Sequence, residues 1–189
     1  FPGDDADWDF GLGAGFYLDA TQAPWSAAYK METHVVDELR AAVESAFPIA
    51  RDRRGITGHS MGGHGALTLA LRHADVYRSV SAFAPVCAPM QVPWGQKAFR
   101  NYLATDGADH DACALITAGK RFMTPPLVDQ GLADKFLETQ LRPDLLEAAC
   151  SAAGIELALR RHAGFDHSYY FIATVVEDHL RHHAAHLQG

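Results

Sequence analysis

Apolar side chains first recur at a regular interval between residues 31 and 47, where Val35, Val36, Leu39, Val43 and Phe47 fall three or four positions apart. That is the period of a helix with one buried face, and Pro48 stops it, so a helix is predicted over 31–46. Arg54-Gly55-Ile56-Thr57-Gly58-His59 then reads as a short strand, and residues 62–72 return to a helix with Ala66, Leu67, Ala70 and Leu71 on one side. Val80, Ala82, Phe83 and Ala84 mark a buried strand within 77–85, closed by Pro85 and Pro89. Another strand is predicted over 125–131. A helix follows over 143–153, with Pro143 suited to its first turn and Gly154 past its end. Residues 155–160 alternate Ile, Leu and Leu with Glu, Ala and Arg, the pattern of a half-exposed strand near a sheet edge. After a loop at 163–168, Ile172, Val175, Val176, His179, Leu180 and His183 share one face of a final helix.

Strands and helices alternating in this way predict an α/β fold, a mainly parallel sheet with helices on both faces. Two stretches stand outside the alternation. Residues 1–31 are rich in Gly, Asp and aromatic side chains without a sustained period, and read as a loop. Gly11, Gly13 and Gly15 lack both the preceding strand and the full spacing of a dinucleotide-binding turn. Trp8, Phe16 and Tyr17 are therefore expected to serve as pocket wall or inter-subunit packing. Between 90 and 124 the pattern weakens. Trp94, Phe99 and Tyr102 allow a short helix in an excursion over the sheet, where a lid or binding wall would sit.

Composition narrows the function. The 189 residues, 48% hydrophobic, suit one domain spanning 1–189. A formal charge of −7 with scattered Lys and Arg argues against a nucleic-acid partner. No apolar run approaches the roughly 18 residues of a membrane span, and the opening Phe1-Pro2-Gly3-Asp4-Asp5 is not a signal peptide. Cys87, Cys113 and Cys150 lie far apart without a C-x-x-C pair and read as reduced thiols, which suits the cytoplasm.

Against this background Gly58-His59-Ser60-Met61-Gly62 carries the candidate chemistry. A strand must turn here into a helix, the flanking glycines clear the corner, and the Ser60 hydroxyl is left exposed as a nucleophile. The amides of Met61 and Gly62, at the start of the helix, would stabilise an oxyanion. Among eleven histidines, His167 lies in the loop after the last strand, from which a base reaches a serine at the head of a neighbouring strand. His182, His183 and His186 fall in the last turns of a helix, where imidazolium would complement the dipole. His179 with His183, or His182 with His186, has the spacing of a metal pair but no accompanying carboxylate or thiolate pattern, so neither metal nor cofactor is expected. His59 and His64 read as wall or hydrogen-bonding groups, and Asp166 as a loop-shaping group. For the acid, Asp129 and Asp134 both follow the same strand and both keep the order Ser, Asp, His, so spacing alone does not separate them.

Several longer strings extend the picture. Trp8-Asp9-Phe10-Gly11, Gly13-Ala14-Gly15-Phe16-Tyr17, Gly58 to Leu67, Ser79 to Pro85, Pro93 to Phe99, Asp129-Gln130-Gly131 and Asp166 to Ile172 together resemble the S-formylglutathione hydrolases, also called esterase D. The resemblance implies an α/β-hydrolase fold and a serine thioesterase that cleaves S-formylglutathione to formate and glutathione in formaldehyde detoxification. It makes Ser60 the nucleophile, His167 the base and Asp134 the acid, with the Met61 amide in the oxyanion hole and no cofactor. Trp94 is expected as pocket wall and Lys97 as partner for a glutathione carboxylate. Members of this family are longer at the front by roughly a third, with early strands and a second oxyanion donor there, so those strands are expected to be missing from this sequence. A broader carboxylesterase or acyltransferase, an inactive interaction module, and a homodimer remain open alternatives.

Overall fold

A computed structural model describes residues 2–188; Phe1 and Gly189, the ends of the expected domain, lie outside the described residues. Four strands, β1 (Gly55–His59), β2 (Ser79–Phe83), β3 (Leu127–Gly131) and β4 (Ala158–His162), form one sheet in the order β1-β2-β3-β4. Every pairing is parallel, as the alternating pattern predicts. β4 begins three residues later than its alternation indicated, because residues 155–157 lead into the sheet before the ladder starts.

The period-two alternation of β2 sorts the helices onto the two faces. Val80 and Ala82 enter a core with Ala66, Leu67, Leu69 and Ala70 of α3 (Met61–Arg72). Ser79, Ser81 and Phe83 instead meet His183 and His179 of α7 (Tyr169–Leu187). α5 (Ala112–Thr117) packs against α3, and α6 (Pro143–Ala152) packs against α5. The inward face of α7 is Phe171, Val175 and His179, and Leu180, expected on that face, is 64% exposed.

Residues 31–46 are helical throughout, but not uniformly. Short α segments, α1 (Met31–Thr33) and α2 (Arg40–Ala46), flank a π-helical stretch, His34–Leu39. The wider turn rotates the later residues away from the core. Val36 is buried, whereas Leu39 and Phe47 of the predicted apolar face are exposed.

The weakly patterned 90–124 region holds α4 (Pro93–Tyr102) and the short α5, which Asp111 caps by accepting the Ala114 amide at 2.9 Å. α4 turns Ala98, Phe99 and Tyr102 onto the amino-terminal segment, where Phe10, Phe16 and Leu18 are buried against them. The Tyr102 hydroxyl accepts the Gly11 amide at 2.9 Å and donates to the Ala14 carbonyl at 3.2 Å. The segment thus has little regular structure yet is packed. Among the described residues, no helix is long and apolar enough to cross a membrane.

Candidate active site

β1 ends at His59 and α3 begins at Met61, so Ser60 alone makes the corner. Its backbone sits at φ 57° and ψ −118°, a region non-glycine residues enter at a cost of about 1–3 kcal/mol. Three hydrogen bonds hold it there. The Ser60 amide donates to the Phe83 carbonyl at 2.9 Å, and the Ser60 carbonyl accepts from the amides of His64 at 3.0 Å and Val86 at 3.2 Å. Gly58 is required by close approach, since a Cβ there would lie 2.1 Å from the Gly62 carbonyl oxygen. The Met61 amide, first in α3, belongs to the turn whose N–H groups have no acceptor within the helix.

On the far side of β2, β3 leads to Asp134, which is buried. His167 Nδ1–H donates to Asp134 Oδ2 at 2.5 Å, and the Phe136 amide donates to Oδ1 at 2.8 Å. Burial alone would raise the Asp134 pKa. The bonds from His167 and Phe136 outweigh it and hold the carboxyl below the usual range. Ser60 and His167 line one cavity of about 460 Å³, walled by Trp8, Pro93, Trp94, Phe136 and Leu141. The ring of His59 lies 4.4 Å from that of His167, centroid to centroid. Burial, together with the facing His167, pushes the His59 pKa down to about 4.

Asp129 takes a different place. It is fully buried and accepts from Arg160 twice, at 2.6 and 2.5 Å, from His162 at 3.0 Å and from His179 at 2.9 Å. Its oxygens serve β4 and α7, whereas Asp134 reaches His167.

A family model described as "Putative esterase" matches residues 2–182. The S-formylglutathione hydrolase of Mus musculus is 49% identical over 191 residues, covering 99% of this chain and 68% of that one; that of Rattus norvegicus is 48% identical with the same coverage. A solved S-formylglutathione hydrolase from Agrobacterium tumefaciens superposes with a TM-score of 0.93 at 48% identity, over 96% of this chain and 66% of that chain. The chain belongs to the S-formylglutathione hydrolase family. It has the α/β-hydrolase fold of that family and spans about two thirds of the length of these relatives.

Other residues singled out in the sequence can now be placed in this family member. Trp94 is a cavity wall, and its Nε1–H donates to the Asp9 carbonyl at 2.5 Å. Lys97 lines the same cavity, but its ammonium already donates to Asp9 at 2.6 Å and Asp7 at 2.9 Å, so its charge is matched within the chain. Trp8 stands 83% exposed at the rim, while Phe16 is core. Asp166 shapes its loop, accepting the Ser168 amide at 3.0 Å. Cys87, Cys113 and Cys150 are free and buried.

His183 is not a charged helix cap. Its ring bonds Ser79 Oγ at 2.7 Å and Ser81 Oγ at 2.8 Å, and burial lowers its pKa to about 4, so it is neutral. His182, next to it, donates to the Val80 carbonyl at 3.2 Å, and burial lowers its pKa as well. Phe136 and Leu141 were not singled out in the sequence, because they lie in a π-helical turn, Leu137–Leu141, and its approach, where neither a strand nor an α-helix period applies.

Proposed function

We propose that this chain hydrolyses S-formylglutathione to formate and glutathione through a Ser60-His167-Asp134 triad carried by a single domain. The observation that carries the reading is the His167–Asp134 hydrogen bond, made at the wall of the cavity that Ser60 also lines. Ser60 Oγ attacks the formyl carbon while His167 Nε2 takes its proton, and Asp134 holds the imidazole in the tautomer that leaves Nε2 free to accept. The Met61 amide is the oxyanion donor supplied by α3. Collapse of the tetrahedral intermediate expels glutathione thiol with the proton from His167. Water, deprotonated by the same nitrogen, then attacks the formyl-enzyme and releases formate. We assign Trp94 to the wall against the thioester, and Lys97 to holding Asp7 and Asp9 beside Trp8 at the rim rather than to a substrate carboxylate. Three buried thiols suit a reducing compartment such as the cytoplasm.

A second reading, a broad carboxylesterase, is favoured by the cavity itself: about 460 Å³ of largely apolar space exceeds the needs of a one-carbon acyl group. Turnover of S-formylglutathione against aryl acetates decides between the two. A kcat/KM at least tenfold higher for the thioester is expected; clear preference for the acetates would sink the thioesterase reading. If neither is turned over and a fluorophosphonate does not label Ser60, the chain is no serine hydrolase.

A further inference from the structure

β3 ends in three consecutive residues with separate tasks. Asp129 ties the strand to β4 and α7, and Gly131 admits the loop that carries His167, since a Cβ on Gly131 would lie 2.4 Å from the Phe165 carbonyl oxygen. Gln130 lies between them with no exposed surface. Its Nε2 donates to the Gly131 carbonyl at 2.9 Å and to Asp134 Oδ2 at 3.4 Å. That oxygen is the one His167 Nδ1–H also reaches.

The amide has one sensible orientation, because the reverse would aim Oε1 at a carbonyl and a carboxylate, both acceptors. In the orientation present, Oε1 is buried without a hydrogen-bond partner among the described residues. An apolar side chain would fill the same space without that desolvation cost. A buried amide held in spite of it, with its amino group toward Asp134, is explained by what it does to the carboxylate.

We propose that Gln130 is a positioning residue that keeps Asp134 Oδ2 aligned with His167. The inference rests on the triad reading above. Apart from His167 itself, the Phe136 amide holds Oδ1 and Gln130 reaches Oδ2, so turning of the carboxylate about its Cβ–Cγ bond is opposed at both oxygens by donors that do not depend on the imidazole. At 3.4 Å the contact is long for an N–H···O bond, so its effect is orientation and partial neutralisation of Asp134. Without it, more of the negative charge falls on His167 and favours the imidazolium, the form unable to accept the Ser60 proton.

The test uses Gln130→Met and Gln130→Glu, with kcat and KM for an aryl acetate measured from pH 5 to 9 per fluorophosphonate-titrated serine. Gln130→Met is expected to lower kcat about tenfold at unchanged KM and to move the acid limb of the profile upward. In Gln130→Glu two adjacent carboxyls cannot both ionise readily, so the neutral acid donates to Asp134 in place of the amide. This variant is expected to keep near-normal kcat at low pH and lose it as the pH rises, adding an alkaline limb. A titrated Met variant within twofold of the unsubstituted chain, with an unmoved acid limb, overturns the proposal. If the Met variant does not fold, a Glu profile parallel to that of the unsubstituted chain overturns it equally. Failure of the unsubstituted chain to react with the probe defeats the triad reading itself, a result distinct from either.

Discussion

Asp129 and Arg160 stand directly opposite in the β3–β4 ladder and join through two hydrogen bonds, Nε to Oδ1 at 2.6 Å and Nη2 to Oδ2 at 2.5 Å. His179 and His162 complete the shell around the carboxylate. Burial would raise the Asp129 pKa, but the bonds from His179, Arg160 and His162 hold it well below the usual carboxylate range. Asp129→Asn should therefore cost about 3 kcal/mol of stability, the lower end for disrupting a buried charged pair, because Arg160 is partly open to solvent. Urea unfolding measures this. Activity per titrated serine should stay within a few-fold.

Asp134→Asn should behave in the opposite way. The fold persists, but the amide no longer imposes the productive His167 tautomer, and kcat should fall about 10³- to 10⁴-fold. Equal losses in the two Asn variants, measured per folded molecule, would overturn the division of labour between the two aspartates.

Gly131→Ala pushes a methyl group against the Phe165 carbonyl oxygen at 2.4 Å and the Asp166 carbonyl oxygen at 3.0 Å, both in the loop leading to His167. That loop must shift, and a displacement near 1 Å costs about a hundredfold in rate. The expected pattern is a large loss of kcat with the Asp134–His167 proton resonance moved or broadened in NMR. An unaltered resonance and rate would show that the strand end yields instead.

Acid stability follows from neutral imidazoles. His59 and His183 are held to about 4 and His64 to about 3, in each case chiefly by burial. Their folded pKa values lie below the ordinary value near 6.5, so between about pH 6.5 and 4 the unfolded chain binds protons that the folded chain does not. Stability is therefore full above pH 6.5 and declines as the pH falls through this window. For His183 alone, discounted for its partial exposure, the loss by pH 4.5 is on the order of 1 kcal/mol. His183→Asn should flatten that part of the slope, read as urea midpoints at pH 7 and 4.5; an unchanged slope would show that His183 does not titrate with unfolding.

How far these features were legible depends on the range of the forces behind them. The order of strands and helices follows from local periodicity, and the Ser60 corner from Gly58, whose close approach is to the Gly62 carbonyl oxygen four residues on. Asp129 and Asp134 could not be separated by position. What distinguishes them is contact with Arg160, His162 and His179 on one side and with His167 on the other, all distant in the chain. The charge state of His183 is not legible from its place in the helix, which suggests a solvated end, whereas the Ser79 and Ser81 hydroxyls and the sheet face supply a partly buried berth. The exposed Leu39 and Phe47 fit a helical period but not the π turn at His34–Leu39, whose extra residue per turn the apolar spacing does not reveal.

The amino-terminal segment also bears on the serine. Phe16 and Tyr17 both adopt left-handed backbone, at φ 50° and 51°. The Tyr17 ring lies against α3 so closely that a Cβ on Gly65 would fall 2.5 Å from it and a Cβ on Gly62 3.5 Å from its hydroxyl. His64, on the same turn, bonds the Phe16 carbonyl at 3.1 Å. The first turns of α3 are thus clasped from outside by a strained pair of aromatic residues. Whatever displaces residues 14–18 must unlatch that clasp, and the orientation of the Met61 amide would be among the first things to change.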